Sequence, residues 1–380
     1  MSDVEKNIGT HKPEFDGEWV RLGDVCAKGK SNLRQKDLKN DGPYPVYGAP
    51  GIVGFSSNYQ NADAYVAVVK DGAGVGRVIA CEPRSSVLGT MQALLPGKGI
   101  DRDYLLHLVR SMDLGKGFTG STIPHIYFKD YGKTLVRALS REQQVEVANR
   151  LSGIDHLISQ GKGQLSFLDD LVKSQFVEMF GDPATNSKSW KTESLTNLGS
   201  CKNGLNFKYR DNGLGISCLG VGDFKDKTVI NSVNEMGFVS LDESPSDNYL
   251  LNDGDLVFVR SNGNKELVGR CVAVYPHGEK AVYSGFCIRL RLQFGYVRVP
   301  YLVHMLKQPG IRRQMFGRGA NVQNLNQQLL SNIQVPLPPL TLQDQFADFV
   351  ARVDKLGFDV QQQIEKLETL KQSLMQEYFG

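Results

Sequence analysis

The chain repeats itself at an offset of 199 residues, and no other feature constrains the fold as strongly. The matched segments include QVEVA against QDQFA and GSTIPH against GANVQN. The aligned positions of the two copies are Asp155 and Asp354, Gln144 and Gln343, Gly120 and Gly319, and Phe180 and Phe379. A duplication of this length predicts two similar structural units, in the order globular block, helix, globular block, helix.

Further towards the N-terminus of each copy, the match continues with gaps. DYLLHLV at 103–109 resembles PYLVHML at 300–306, and VGRVIA at 75–80 resembles VGRCVAV at 268–274. Each copy also opens near one of the two tryptophans of the chain. The duplication therefore includes the globular blocks as well as the helices.

The last part of each copy shows apolar residues at every seventh position. The two series are Leu151, Ile158, Leu165, Val172 and Met179, and Phe346, Val353, Val360, Leu367 and Leu374. This spacing predicts two long amphipathic helices of coiled-coil type, with Ser140 and Thr341 as N-caps. We expect them to pair antiparallel, which would relate the two halves by a pseudo-two-fold axis. The alternative is that each helix packs on its own domain.

The globular blocks are rich in short apolar runs separated by Gly and Asn turns. YVAVV, GRVIA and QALLP in the first block, and DLVFV, RCVAVY and FCIRLRL in the second, are predicted strands. The stretches 104–113 and 300–308 are predicted to form short helices. The fold class is therefore α+β, with two sheet-rich domains in tandem and a long helix after each. The predicted boundaries are 1–16 (N-terminal extension), 17–138 (first domain), 139–187 (central helix), 188–336 (second domain) and 337–380 (C-terminal helix).

Charge is distributed in alternating blocks. Residues 17–138 hold 16 Lys and Arg against 11 Asp and Glu, and residues 188–336 hold 18 against 12. Residues 139–187 and 337–380 each hold 4 against 7. A polyanionic partner that touches the globular blocks and not the helices would produce this pattern, although ordinary surface charge is also compatible with it.

Several classes of protein lack support in the sequence. The start has no apolar stretch typical of a signal peptide, and the apolar runs are too short to span a bilayer, so we expect a cytoplasmic protein. The six cysteines form no C-x-x-C pair, which excludes zinc-finger spacing. Walker A, G-x-S-x-G and amino-methyltransferase signatures are absent, and Gly72-Ala-Gly74-Val-Gly76 is better explained as a hairpin turn than as a dinucleotide loop. The sequence thus favours a binding protein without a catalytic centre or metal site.

The motifs that carry a family resemblance lie in the duplicated segments. They are the starts at Trp19 and Trp190, the glycine turn ending in Arg77, the IQVPLPPL run at 333–340, and QDQFADFVARVD at 343–354. With the leucine-rich helices, this pattern resembles the specificity (S) subunits of type I restriction–modification systems, from about residue 17 to residue 380. The first copy departs from it, because LVRALS at 135–140 replaces the proline run.

The resemblance implies a function in host defence. The two globular blocks would be target recognition domains, each reading one part of a bipartite double-stranded DNA target, with the paired helices setting the spacer between the parts. Two modification (methyltransferase) subunits and two restriction subunits would assemble on the chain. The chain itself would bind no cofactor, since S-adenosylmethionine, ATP and Mg would be bound by those partners. No membrane is involved.

DNA contacts are expected from basic, amide and hydroxyl side chains on glycine-rich loops, because such groups read base edges and hold phosphates. The candidates in the first domain are Lys28, Lys30, Asn32, Arg34, Tyr47, Lys70, Arg77, Thr119, Ser121 and His125. The candidates in the second domain are Lys202, Asn206, Lys208, Arg210, Arg260, Asn262, Asn264, Lys265, Arg312, Arg313, Arg318, Asn321, Gln323 and Asn324. Two other readings stay open: a non-catalytic two-headed coiled-coil adaptor between proteins, and an enzyme with an unrecognised site.

Overall fold

The computed structural model divides the chain into two compact units. It describes residues 17–38, 40–119, 124–206, 213–225, 227–315 and 324–380. The first unit comprises the residues up to 163 together with 361–380, and the second comprises 164–360. Each long helix therefore contributes one part to each unit.

The first unit contains nine described strands and three short helices, together with the start of one long helix and the end of the other. The strands are β1 (Glu18–Arg21), β2 (Cys26–Lys28), β3 (Tyr44–Gly48), β4 (Gly51–Ser56), β5 (Tyr65–Val69), β6 (Val78–Cys81), β7 (Ser86–Val87), β8 (Met91–Pro96) and β9 (Leu135–Ala138). The helices are α1 (Leu22–Val25), α2 (Arg102–Ser111), α3 (Phe128–Tyr131) and the long α4 (Arg141–Phe180). Single 3₁₀ turns lie at Gln35–Asp37 and Leu114–Lys116.

Two sheets and a strand pair organise this unit. The four-stranded sheet has the antiparallel order β2-β8-β5-β6, the smaller sheet has the order β4-β3-β7, and β1 pairs with β9. Strand β5 is buried along its whole length because both faces of its sheet are covered. Val66 and Val68 face a core shared with α2 and α4, whereas Ala67 and Val69 face Tyr47 of the smaller sheet.

The second unit contains ten described strands and four short helices, together with the end of the first long helix and the start of the second. The strands are β10 (Thr192–Ser194), β11 (Gly199–Asn203), β12 (Leu214–Leu219), β13 (Val229–Ile230), β14 (Gly237–Leu241), β15 (Asp255–Val259), β16 (Cys271–Val274), β17 (Ala281–Tyr283), β18 (Cys287–Leu292) and β19 (Gln334–Pro336). The helices are α5 (Val221–Phe224), α6 (Val299–Lys307), α7 (Pro309–Gln314), α8 (Gln327–Ser331) and the long α9 (Leu340–Phe379). Single 3₁₀ turns lie at Leu195–Leu198, Val233–Glu235, Asp247–Tyr249 and Lys265–Leu267.

The main sheet of the second unit repeats that of the first and adds a strand. Its order is β11-β18-β15-β16-β13, in which the first four strands correspond to β2, β8, β5 and β6. The added strand β13 runs parallel to β16 at the edge. Strands β14, β12 and β17 form a second sheet, and β10 pairs with β19. The strand and short-helix predictions are confirmed in both units, and DLVFV coincides with β15.

Within the first unit, the start of α4 packs antiparallel against the end of α9. Arg150 Nη1 donates to the Tyr378 hydroxyl over 3.2 Å, and Lys162 Nζ lies 3.2 Å from Glu368 Oε1. Between these contacts, Asp155 accepts from Lys371 Nζ and, over 3.0 Å, from Arg110 Nη1 of α2. Residue numbers rise along one helix while they fall along the other, as predicted.

Within the second unit, the end of α4 packs antiparallel against the start of α9 through aromatic rings. The Phe346 ring centroid lies 5.5 Å from that of Phe176 and 5.4 Å from that of Phe180. Phe176 stacks on Tyr301 of α6 and Phe180 meets it edge-on, with centroids 5.7 and 4.7 Å apart. All four side chains are buried. The antiparallel helix pairing is thus confirmed in each unit, and each part of a helix also packs on the domain beside it.

The two units repeat not only strands but also individual hydrogen bonds. The carboxamide oxygens of Gln144 and Gln343 each accept a backbone N–H over 2.8 Å, from Asp101 and Arg298. Their amide nitrogens donate over 2.8 Å to the carbonyls of Leu139 and Pro338. The aligned Tyr104 and Tyr301 hydroxyls donate to Arg137 O and Pro336 O, over 2.7 and 2.8 Å. These buried bonds fix the start of each long helix against its preceding domain.

The predicted helix starts are confirmed in one case and wrong in the other. Ser140 precedes α4, and it exchanges hydrogen bonds with Gln143 in a capping-box arrangement. Helix α9 begins at Leu340, so Thr341 lies inside its first turn and is not the N-cap. Pro339 occupies the position before the helix, because its carbonyl accepts the backbone N–H groups of Leu342 and Gln343 over 3.0 and 3.2 Å.

Candidate nucleic-acid interface

In the first unit, three loops meet where β5 ends. The buried run of β5 stops at Val69, and the next two residues turn away from the sheet. The backbone N–H groups of Lys70 and Asp71 both donate to Thr90 O, over 3.0 and 3.2 Å, and Lys70 O accepts from Ile126 N over 3.0 Å. These bonds fix the backbone at Lys70, so its half-buried side chain starts from a defined position.

A glycine hairpin continues this loop into β6. Gly72, Gly74 and Gly76 all have positive φ, between 84° and 89°, which side-chain-bearing residues rarely adopt. A Cβ on Gly76 would also collide with the backbone of Gly115. The prediction of a hairpin turn here is confirmed, because β5 and β6 are antiparallel neighbours.

Beside these loops lies a cavity of about 490 Å³ with a basic and aromatic lining. The lining residues are Lys28, Lys70, Asp71, Gln92, His125, Ile126, Tyr127, Phe128 and Lys129. His125 Nδ1 lies 2.7 Å from Asp71 Oδ1, and Lys129 Nζ lies over the Tyr127 ring, 5.2 Å from its centroid. The cavity combines cations, an amide and a half-exposed aromatic ring, which are the groups that contact phosphates and bases.

The second unit builds the same junction from different side chains. The backbone N–H groups of Arg260 and Ser261 both donate to Phe286 O, over 2.7 and 3.3 Å, and Arg260 O accepts from Leu325 N over 2.7 Å. The Arg260 guanidinium also donates to Gly285 O over 3.3 Å. Arg260, Phe286 and Leu325 therefore occupy the places of Lys70, Thr90 and Ile126. We call each of these junctions a loop cluster.

Asparagines surround the second loop cluster. A Cβ on Gly285 would overlap the Asn206 side chain, so Asn206 lies directly against the β17–β18 turn. Asn324 forms a bridge with Ser261. Asn262 and Asn264 hold the local turn, with Asn264 N donating to Asn262 Oδ1 over 2.8 Å and Glu266 N donating to Asn264 Oδ1 over 3.0 Å. Part of their hydrogen-bonding capacity is therefore used within the loop.

The structure brings most of the predicted contact residues to the surface. Those with exposed side chains are Lys28, Lys30, Asn32, Arg34, Arg77, Thr119, Asn206, Asn264, Lys265, Arg313 and Asn324. Those that are half-buried are Lys70, His125, Lys202, Arg260, Asn262 and Arg312. The predictions for Ser121, Lys208, Arg210, Arg318, Asn321 and Gln323 lie outside the described residues.

Tyr47 is placed differently from the prediction. It is 7% exposed, belongs to the core between the two sheets, and accepts a hydrogen bond on its hydroxyl from Glu82 N over 3.3 Å. Burial raises its pKa above the usual tyrosine value. Strand alternation turns Tyr47 inward, so we revise its assignment from DNA contact to core residue.

Sequence reasoning missed two aromatic side chains in the loop clusters. Phe286 is 62% exposed at the β17–β18 turn, and Tyr127 is 49% exposed beside His125. The signal for Phe286 was available in Ser-Gly-Phe, a turn sequence ahead of a strongly apolar strand. Exposed aromatic rings in such a position can contact thymine methyl groups or unpaired bases.

The cysteines do not form a reactive centre. Burial raises the pKa of Cys26 and Cys81 to about 12 and that of Cys201 to about 11, which suppresses the thiolate. Across the ranges that the structure describes, no three His, Cys, Asp or Glu side chains are grouped as metal ligands would be. In the same ranges, no helix combines the length and apolarity needed to cross a membrane.

The fold defines a class of protein with two similar α+β modules in tandem, each followed by a long helix, and with antiparallel helix pairing within each unit. A family model described as the type I restriction modification DNA specificity domain matches residues 16–165 and 188–369. The chain belongs to this family of type I restriction–modification specificity proteins.

Individual relatives agree with this family. The MjaVIII specificity subunit of a type I restriction enzyme from Methanocaldococcus jannaschii is 23% identical over 404 residues, covering 97% of this chain and 92% of that protein. The StySPI specificity subunit from Salmonella potsdam is 27% identical over 287 residues, covering 70% of this chain but 60% of that protein. A solved S subunit from M. genitalium superposes with a TM-score of 0.58 at 16% identity, over 96% of this chain and 97% of that one, which supports the fold.

Proposed function

We propose that this chain is the DNA-reading subunit of a type I restriction–modification complex and has no catalytic centre of its own. The observation that carries the proposal is the loop cluster built twice, with Lys70 in one unit and Arg260 in the other on the same backbone frame. Each cluster reads one part of a two-part duplex target.

The chemistry of each cluster suits duplex DNA. Arginine and lysine recognise guanine in the major groove, asparagine and glutamine recognise adenine, and further cations hold phosphates without regard to sequence. Backbone bonds fix Lys70 and Arg260 at their Cα atoms, which lowers the entropy lost when their side chains bind. We assign base reading to these two residues and backbone contacts to the more exposed Lys28, Lys30 and Arg313.

The remaining parts of the proposal concern assembly. Modification subunits dock on the chain and methylate adenines with S-adenosylmethionine, and restriction subunits add ATP- and Mg-dependent cleavage. The continuous helices α4 and α9, each of 40 residues, keep the gap between the two parts of the target constant. Support comes from the family membership, and from a solved structure with a TM-score of 0.55 that concerns complex assembly of a type I restriction–modification system.

The test is co-expression of the full chain with the modification subunit encoded beside it, followed by genome-wide mapping of methylated adenines. We expect a motif of two specified parts separated by a fixed number of unspecified bases. A motif with one specified part, or with a variable gap, would contradict the proposal. Absence of methylation and of duplex binding would favour the adaptor reading, and methylation by the chain alone would favour the enzyme reading.

Single substitutions test which unit reads which part of the DNA target. Arg260→Ala should weaken binding of the target duplex and relax the sequence requirement in one part, at a cost of about 1–3 kcal/mol. Lys280→Ala is the matched control, because this exposed lysine follows β16 at the opposite end of the sheet. Lys70→Ala should relax the other part, with Lys98→Ala beyond the far end of β8 as its control. If Lys70→Ala and Arg260→Ala both relax selectivity in the same part of the target, the assignment of one part to each unit is wrong.

A further inference from the structure

The second unit contains a basic cleft that the loop clusters do not include. Its volume is about 270 Å³. The lining residues are Phe224, Lys225, Lys227, Glu266, Arg270, Cys271, Lys307 and Arg312. Five of these eight residues are cationic, and only Arg312 was predicted from the sequence to contact DNA.

Positive charge dominates this cleft. Glu266 is the one carboxylate among its described lining residues. Asp226 lies outside the described residues, and Glu235 pairs with Lys227 over 2.7 Å. Counting both carboxylates together with Glu266 still leaves an excess of two positive charges. Like charges brought together in this way repel one another, so an anion that enters the cleft relieves the repulsion.

Three of the basic side chains donate to neutral acceptors, and Lys227 pairs with the Glu235 carboxylate over 2.7 Å. Lys307 Nζ donates to Lys227 O over 3.3 Å and to the Thr228 hydroxyl, and Arg270 donates to Lys225 O. Arg312 Nη2 donates to Glu266 O over 3.1 Å, and burial lowers the pKa of this guanidinium from its usual value. These bonds orient the Lys307, Arg270 and Arg312 side chains beside the cleft.

The cleft opens at the same end of the main sheet as the second loop cluster. Strand β16 begins at Cys271, opposite Phe258 near the end of β15, and Arg270 immediately precedes it. Strand β13 runs parallel to β16, so Lys227 also precedes its strand at this end. The segment 261–268 joins the loop cluster to the cleft wall, and Arg312 binds the carbonyl of Glu266 within it.

The cleft depends on elements that the first unit lacks in its described part. Lys225 and Lys227 follow α5 and precede β13, and β13 is the strand that the four-stranded sheet of the first unit does not have. Phe224 of α5 is buried and forms the base of the wall. The added strand thus brings two lysines beside Arg270, Lys307 and Arg312.

We propose that this cleft binds a phosphate group of the DNA backbone next to the base-reading loop cluster of the second unit. The inference rests on the proposed function and deepens it by naming a phosphate site. Arginine and lysine together supply charge-assisted hydrogen bonds to phosphate oxygens, and such contacts release counterions from DNA. The site fixes the second unit on the duplex and carries no base information itself.

The test measures how affinity for duplex DNA depends on salt concentration. The variant Lys225→Gln/Lys307→Gln removes two exposed cations of the cleft and is used in the full chain with its modification subunit. We expect the slope of log K against log salt to fall by about 1, as for the loss of one phosphate contact, with equal weakening for target and non-target duplexes. The matched variant Lys191→Gln/Lys280→Gln removes two exposed charges outside the cleft and should keep the wild-type slope.

A second arm distinguishes the source of the phosphate. Thermal denaturation is followed in inorganic phosphate and in chloride at equal ionic strength, for wild type and the cleft variant. An unchanged salt slope overturns the DNA assignment, and a phosphate-dependent stabilisation lost in the variant would then identify a free phosphate ligand. If neither slope nor stabilisation changes, the cleft is not a phosphate site.

The outcomes separate this inference from the proposed function. Failure of the wild-type complex to bind any duplex refutes the proposed function, and the phosphate arm still decides whether the cleft binds an anion. Normal target binding with an unchanged slope refutes the cleft assignment alone. Circular dichroism and the melting temperature of both double variants show whether the fold is intact.

Discussion

The first and second units share the same hydrogen bonds at the start of each long helix, but the contacts between the two helices differ in chemistry. In both, a buried glutamine near the start of the long helix accepts a backbone N–H from the preceding domain, and a buried tyrosine binds the strand that leads into the helix. In the first unit the helix contact continues as an ionic group of Arg110, Asp155 and Lys371. In the second it continues as an aromatic cluster around Phe346. The comparison teaches that the duplicated frame depends on a few directional bonds, whereas the packing around it can diverge.

Two aligned aspartates show this divergence. Asp155 and Asp354 occupy the same position of the repeat, but the lysine that pairs with Asp155 is replaced by Val172 in the second unit. Loss of hydration raises the pKa of Asp354, and repulsion by the Asp169 carboxylate raises it further. The ionised Asp155 carboxylate therefore stabilises the first unit, whereas the ionised Asp354 carboxylate does not stabilise the second.

The largest expected difference between the units comes from their helix cores. Phe346→Ala should destabilise the second unit by about 3–5 kcal/mol, because a fully buried ring leaves a cavity. The aligned Val147→Ala should destabilise the first unit by about 2 kcal/mol, since only two methyl groups are lost. Hydrogen exchange measured by mass spectrometry would locate each effect. Equal losses of stability from Phe346→Ala and Val147→Ala would contradict the expected difference between the two helix cores.

Acid should reveal a weakness that both units share. Burial, followed by the nearby Arg110, lowers the pKa of His107 from 6.5 to about 4, and burial lowers that of the aligned His304 to about 3. The unfolded chain therefore binds more protons, and stability falls as the pH drops from about 6.5 towards 4. For the fully buried His107 this loss approaches about 3 kcal/mol at pH 4.

The measurement is denaturant unfolding across this pH range, read out by hydrogen exchange in each unit. His107→Gln should flatten the pH dependence of the first unit while leaving that of the second unchanged. If the first unit is as acid-sensitive in the variant as in the wild type, His107 is not the cause of that sensitivity.

The smallest effects should have opposite signs at the two aligned aspartates. Asp155→Asn should destabilise the first unit by about 1–2 kcal/mol, because Arg110 and Lys371 lose their common carboxylate. Asp354→Asn should slightly stabilise the second unit at neutral pH. A raised pKa means that the ionised Asp354 carboxyl is unfavourable in the folded state, so this gain should shrink as the pH falls towards the usual aspartate range. The urea midpoints at pH 7.5 and pH 4 provide the check, and the same sign for both variants would contradict it.

Much of the fold was predictable because the signals were local or repeated. The DLVFV run gave β15 at its observed bounds, and the Ser140 capping box marked the start of α4. The aligned Gln144 and Gln343 already indicated a common frame, although their buried hydrogen bonds needed the structure. Strand β13 was missed because it consists of two residues, too short for any periodic pattern.

The candidate site was predictable in kind but not in arrangement. Lys70 and Arg260 could be chosen because each follows a buried strand and precedes glycine-rich turns. Tyr47 was misjudged because its residue type suits DNA contact, while strand alternation turns it inward. The basic cleft could not be predicted from the sequence. Its cations come from segments as far apart as Lys225 and Arg312, and only the added strand brings them together.

The division of the chain also affects the order in which it can fold during synthesis. The second unit is one uninterrupted stretch, whereas the first requires residues 361–380 in addition to its own beginning. Phe379 packs against Tyr104, and the buried Tyr378 binds Arg150, so these contacts form only after the ribosome has translated almost all of the chain. The module encoded first therefore completes its core last, once residues 361–380 have been added.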